Sequence, residues 1–374
     1  MAATDSPRGR INPFLAAALA LPGIAPATAL AQSMPEQGIF ALNYLDYRDW
    51  QPGGDRMSVR SPSFYVLAPF ADKWTVEGSV VYDSMSGASP LWFNTLSGAS
   101  GEGVTDYRTA GDVKVTHYFN RYSIDVGGAS SHERDYSSRA GSLDARWWTA
   151  DKNTTLAFGF AGNADYIHPS ARELDNGRRN TLDFLVGITQ ALSPVDSVQS
   201  NVTYSTGHGY FSDPYKPLDT RPGERRVLAW LTRYNHRYTQ ADATLQLGYR
   251  LLDDSFGGGS HTFDVAWVQS LPWGISLTPN VRYYTQDSAN FWYGPPYPQG
   301  FQVGHDFTAD TRLSAFGALT TGVKVAKVFA DGWSVNLDVN FYRQRAGWRA
   351  FGDGSPGIEP FSARWFGAGI SKTF

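Results

Sequence analysis

Ser131-His132-Glu133-Arg134-Asp135 places a hydroxyl, an imidazole and two carboxylates in five consecutive residues. Such a set suits rim hydrolysis, with His132 as general base and a carboxylate to orient it. No second histidine or positioned water can be argued beside it, so a solvated charged loop is the simpler account. Gly207-His208-Gly209 and Gly304-His305-Asp306 lie in turn-rich stretches. The chain has 7 His and no Cys, and neither His-x-His nor HExxH spacing occurs. No metal site and no cofactor are expected from these donors. SGASP (86–90) and SGASG (97–101) lack the following helix that a phosphate cradle requires, and read as small-residue loops. WYGPPYPQG (292–300) reads as a stiff aromatic loop tip, suited to binding a ligand or capping a pore. No catalytic residue is assigned, and the chain is not expected to be an enzyme.

The more numerous chemical groups are charges spaced two apart on alternating segments. In WTVEGSVVYD (74–83), Trp74, Val76, Val80 and Tyr82 oppose Thr75, Glu77, Ser79 and Asp83. In WSVNLDVNF (333–341), Trp333, Val335, Leu337, Val339 and Phe341 oppose Ser334, Asn336, Asp338 and Asn340. A strand turns successive side chains to opposite faces, so each segment has one apolar and one polar face. The same reading gives Glu77, Arg108, Asp112, Lys114, Asp144, Arg146, Asp183, Arg233, Arg250, Arg282, Arg312, Lys324 and Asp338 as candidates for lining a lumen, with Asp125 and Asp264 among them. Acids and bases are mixed there without a single-sign ring, so strong ion selectivity is not expected.

Length and rhythm separate a membrane barrel from a sandwich. The alternating stretches run about 9 to 15 residues, against about 5 to 6 for ordinary strands. A tilted membrane-spanning strand needs about 9–11. Short turns fall near residues 72, 120, 151, 193, 239, 271 and 331, and longer Gly/Ser/Pro/Asp-rich stretches near 85–105, 208–223, 287–307 and 345–360. Aromatics mark the short turns: Phe70, Trp74, Phe119, Tyr122, Trp147, Trp148, Tyr238, Trp273, Phe329 and Trp333. The pattern predicts an all-β fold: a transmembrane antiparallel up-and-down β-barrel of roughly 16 strands, with short periplasmic turns and long extracellular loops. The second strand, with two prolines and no clean face, is the least regular, and the fourteenth is expected within 308–328.

Bulk properties agree. Aromatics are 14% of the 374 residues, yet mean hydropathy is −0.34. The net charge of −3 gives no electrostatic reason to expect nucleic acid. Residues 1–31 have a basic head, an apolar stretch broken by Pro22, Gly23 and Pro26, and a closing Ala29-Leu30-Ala31. That reads as a signal peptide, with 32–374 as one barrel domain exported to the Gram-negative outer membrane.

The final stretch, FSARWFGAGISKTF, alternates to Phe374. It is expected to pair with the first strand near IFALNYLDY, because an open edge cannot persist in hydrocarbon. Phe366, Ile370 and Phe374 resemble the terminal signal read by the barrel-assembly machinery. Lys372 departs from that pattern and is expected to snorkel toward the interface.

SGASP after a strand ending YDSM, then SSHERDYSS, then RWWTADKNTTLAFGF resemble the outer-membrane family of unknown function numbered 3570, over nearly all of the mature chain. The resemblance implies a Gram-negative outer-membrane barrel and carries over no catalytic residue. Relatives tend to be encoded near flavin-transferase, thioredoxin-like and small lipoprotein genes. Three functions follow: a porin-like conduit, a docking barrel for an exported partner such as a redox or flavin-linked lipoprotein, or a rim hydrolase. The expected partners are outer-membrane lipid, the assembly machinery and a periplasmic or lipoprotein partner.

Overall fold

A computed structural model describes residues 33–87, 104–169, 174, 177–216, 218–294 and 305–374. The leader expected over 1–31, the SGASG repeat and most of SGASP, Gly304 and the last six residues of WYGPPYPQG lie outside them. The strands are β1 (Ile39–Gln51), β2 (Gly54–Phe70), β3 (Trp74–Gly87), β4 (Val104–Tyr118), β5 (Tyr122–His132), β6 (Tyr136–Trp148), β7 (Thr154–Ile167) and β8 (Arg178–Ala191). They continue with β9 (Asp196–Gly209), β10 (Glu224–Tyr238), β11 (Ala243–Asp254), β12 (Ser260–Leu271), β13 (Ile275–Gln286), β14 (Phe316–Val328), β15 (Trp333–Arg345) and β16 (Phe361–Thr373).

Each strand pairs antiparallel with its sequence neighbours, and β1 pairs with β16, so the sheet is a closed barrel. The seam runs from Ile39 opposite Thr373 to Trp50 opposite Ser362. Closure satisfies the edge N–H and C=O groups, each of which would cost several kcal/mol unpaired in hydrocarbon. The last residue extends the seam: Gly38 N–H donates to the Phe374 carbonyl (2.8 Å) and Phe374 N–H to that of Gly38 (3.0 Å). The Phe374 ring lies over Gly38, where a Cβ would come within 2.5 Å of it.

β2 is a full strand despite its prolines. Its pairing with β1 continues through Pro62, while the register with β3 lapses between Arg60 and Ser63. A proline offers no N–H, so one ladder gives way there. The fourteenth strand begins at Phe316, not near 308; the residues before it belong to a loop.

One rim carries short connections at 71–73, 119–121, 149–153, 192–195, 239–242, 272–274 and 329–332. The other carries the long ones, 88–103, 210–223, 287–315 and 346–360, but also the tight Pro52-Gly53 and 133–135. Aromatics stack along the short-turn rim: Phe70–Trp74 (6.3 Å), Trp74–His117 (4.2 Å), His117–Phe119 (4.3 Å) and Phe119–Tyr122 (4.1 Å). Trp147 is 39% exposed on this belt, whereas Trp148 is 2% exposed and turns inward. Consecutive strand residues cannot share a face, so only one of the pair joins the belt.

Candidate functional site

Parity and burial divide the wall into two faces. Leu42, Phe64, Val80, Val113, Val126, Leu143, Phe158, Phe184 and Leu337 are all exposed on one face. On the other, Asp49, Asp83, Thr116, Asp125 and Asp165 are buried. Side chains converge inside a closed barrel and diverge outside it, so the buried polar face is the inner one.

Every lumen candidate except Arg312 falls on that inner face, and registers bring several together. Glu77 stands opposite Lys114 and forms an ion pair with it; Tyr65 OH also donates to Glu77 (3.2 Å). Arg108 Nε donates to Asp83 (2.6 Å). Arg146 Nη2 lies 2.9 Å from both carboxylate oxygens of Asp125. Arg282 Nε donates to Asp264 (2.6 Å). Lys324 stands opposite Asp338, whose carboxylate accepts from Asn340 (2.9 Å). That carboxylate lies flat over Gly367, where a Cβ would be 2.2 Å from Oδ1; Asp144 lies likewise over Gly159. Glycine on the neighbouring strand gives each acid its place against the wall.

The unpaired charges are not scattered. Asp112 accepts only from Ser79, and Asp144 and Asp183 have no ion-pair partner among the described residues. All three belong to the arc β4–β8. Arg233 and Arg250 likewise have none, and they lie on β10 and β11 beside the Arg282–Asp264 pair. The inner wall therefore has a surplus of acid on one arc and of guanidinium on another.

Arg312 is the exception. It sits in a 3-10 turn, Thr311–Leu313, of the 287–315 connection, where its Nε donates to Asp310 (2.9 Å) and its Nη2 to Asp213 (2.9 Å). The sequence suggested a strand because FTADTRLSAF alternates loosely, but Asp310 instead caps this turn by accepting from Arg312 N–H. Asp310 is 2% exposed and also accepts from Arg221 (3.0 Å), which donates to Asp219 (2.8 Å). Burial opposes ionisation of Asp310, but the Arg312 hydrogen bond and the charges of Arg312, Lys216 and Arg221 outweigh it, holding the carboxyl well below the usual carboxylate range.

Apolar packing completes a cap over this side of the long-loop rim. Phe256, Ala289 and Phe291 form a buried cluster with Phe211, Trp292 and Leu313 against it. Thr220 and Phe307 bridge two loops, and Ser355 N–H donates to the Ala315 carbonyl (2.8 Å). Sequence reading missed this cap, along with Asp165–Arg179 and Arg225–Asp254, and put Asp83 on the polar face of its strand without naming it as a lumen charge. Shared parity with Glu77 marks Asp83; the loop partners leave no local signal.

The Ser131–Asp135 segment assembles no triad. Ser131 turns into an inner recess of about 200 Å³ lined by Ser79, Ala110, Ala129 and Ser138. His132 stands opposite Thr109 on the outer face. Asp135 accepts from Tyr215 of a distant loop. Among the described residues no cluster of His, Asp and Glu is arranged to hold a metal. Phe366, Ile370 and Phe374 are exposed on the outer face, and Lys372 reaches the short-turn rim, donating to the Asp331 carbonyl with its ammonium 5.4 Å from the Trp333 ring centroid.

Solved barrels share this architecture at low identity. CdiB from Acinetobacter baumannii is similar with a TM-score of 0.54 and 8% identity over 90% of this chain, which spans only 60% of that protein. A bacterial polysaccharide outer membrane secretin is similar at 0.50 and 7%, over 90% of this chain and 98% of that one. Pseudomonas aeruginosa OccK2 (OpdF), solved with glucuronate, follows at 0.45 and 11%, over 90% and 98%. The first two likenesses establish the barrel fold and nothing finer. No curated protein sequence matches the chain. A family model, protein of unknown function DUF3570, matches residues 12–100, 93–175 and 168–365, and the chain belongs to this family.

Proposed function

We propose that this protein is a porin-like conduit of the outer membrane, oriented with its short turns in the periplasm and its long loops outward. The observation that supports this reading is the charge on the inner wall, with Asp112, Asp144 and Asp183 on one arc and Arg233 and Arg250 on another. A transverse field of that kind orients dipolar solutes without rejecting either sign outright. The cap joins the connections after β9, β11 and β13 at the rim on the arginine side.

Planar-bilayer recording of the purified protein tests the conduit. Steady single-channel current is expected, and R233Q/R250Q is expected to shift the reversal potential toward cation preference by several millivolts in a salt gradient. Silence under all conditions until a periplasmic or lipoprotein partner is added would replace the conduit with a docking barrel. The chain has no cysteine, so E359C and D331C give clean single labels for orientation. A membrane-impermeant maleimide on whole cells is expected to label the first and not the second.

A further inference from the structure

The outer wall carries a second concentration of charge, on the four strands that meet at the seam. On β1, the exposed Leu42 and Tyr44 give way to Asp46 and Arg48; on β2, Phe64 gives way to Arg60. On β15, Leu337 and Phe341 give way to Arg343; on β16, Ile370 and Phe366 give way to Arg364. A strand tilted as in a membrane barrel climbs roughly 2.5 Å per residue, which puts Arg48 on the order of 20–25 Å above Ile39. That is about the height of the apolar band of such a barrel, so the arginines stand where hydrocarbon ends and headgroups begin.

Their pairing leaves charge to spare. Arg48 Nε is 3.4 Å and Arg60 Nε 3.9 Å from the carboxylate of Asp46, so two guanidiniums share one acid. Arg343 and Arg364 are exposed and have no acidic partner among the described residues. Arg364 stands directly opposite Arg48 in the seam register. Like charges in that position repel, and the arrangement calls for an anion between them. On β3 and β4 the outward residues toward the same rim are Ser84 and Thr109, and the outward Arg139, Arg178 and Arg226 stand singly on β6, β8 and β10, so the arginines on adjacent strands gather at the seam.

We propose that β15, β16, β1 and β2 form a binding row for the phosphate groups of outer-leaflet lipids. A phosphate fits the arginine fork with two parallel hydrogen bonds. The apolar belt beneath receives the acyl chains of the same molecule, and this continuity selects a lipid over a free ion. The row independently suits the outward orientation of the long loops proposed above, and it does not depend on conduction.

The test is native mass spectrometry of the purified, full-length barrel in detergent, titrated with bis-phosphorylated lipid A. Dephosphorylated lipid A and inorganic phosphate are the comparison arms. Basic residues near such a surface each contribute about fivefold in binding, so R343Q/R364Q is expected to bind lipid A roughly 30-fold more weakly. R343K/R364K should restore part of this, and R139Q, a lone outward arginine on β6, should bind as wild type. Heat-modifiable migration confirms that each variant is a closed barrel; should the double variant not assemble, R364Q alone is expected to lose about fivefold. Undiminished binding by the glutamine variants, equal binding of dephosphorylated lipid, or inorganic phosphate binding as tightly as lipid A would each overturn the proposal. Labelling that places E359C in the periplasm would overturn the outer-leaflet assignment by itself, whatever the barrel conducts.

Discussion

The two rims of this barrel are built from the ends of the same strands, and they hold themselves together by different means. At the short-turn rim each connection closes on itself: Lys73 N–H donates to the Ala71 carbonyl (2.7 Å) and Phe119 N–H to that of Tyr122 (2.8 Å). Aromatics then link one hairpin to the next through the belt. At the long-loop rim the contacts leap along the chain, joining Asp219 to Thr308, Arg221 to Asp310 and Ala315 to Ser355. Local closure makes the first rim uniform, and distant closure makes the second particular to this protein.

The comparison breaks most decisively at the seam, where the two kinds of closure coincide. F374S removes the ring over Gly38 and its contact with Phe40, and heat-modifiable barrel in membranes is expected to fall several-fold. Wild-type levels would show that the seam closes without it. At the long-loop rim, D310N leaves Arg221 and Arg312 without their shared carboxylate. The expected local loss is on the order of 2 kcal/mol, below the roughly 3–5 kcal/mol of a fully buried broken pair, because Arg312 is itself exposed. Limited proteolysis should then cut within 287–315 while the barrel stays intact; resistance equal to wild type would separate the cap from this ion cluster.

Acid should loosen the same rim. The Asp310 carboxyl titrates below its value in an opened loop, so its contribution is fully present above about pH 4 and is lost as pH falls further toward the folded value. Hydrogen exchange in 287–315 is expected to be unchanged between pH 8 and 5 after correction for intrinsic rate, and faster at pH 3. D310N should abolish that difference. Within the wall, G159A pushes against the Asp144 carboxylate, and a loss of about 1 kcal/mol in urea-dependent unfolding is expected. The smallest effect belongs to Trp273, which is 84% exposed at a turn with positive φ. W273G relieves the backbone while removing an interfacial ring, so stability should change by less than about 1 kcal/mol, and tryptophan quenching by headgroup-labelled lipid should drop.

Legibility followed the same division. The strand count is the expected one and most strands lie where alternation placed them, because a strand with lipid on one side and a lumen on the other needs one apolar and one polar face; the irregular β2 and the start of β14 at Phe316 are the exceptions. The seven short turns also lie at their expected positions, since Ala71-Asp72-Lys73 or Ala330-Asp331-Gly332 specify their bend locally. Trp148 was misplaced because two adjacent tryptophans look alike until parity is counted from a known neighbour. Arg312 was misplaced because its partner Asp213 lies in another loop. Asp112, Asp144 and Asp183 were legible as inward charges, but their separation from Arg233 and Arg250 was not.

What the sequence determined by itself is everything that repeats every two residues: the faces, the strand lengths, the turns and the closing strand. Tertiary structure alone decided where charges gather around the ring, which loops lock together, and that Arg48 meets Arg364 across the seam. The reason is physical. Alternation is a property of one strand's backbone, whereas neighbours around a barrel depend on the registers of all the pairings between them.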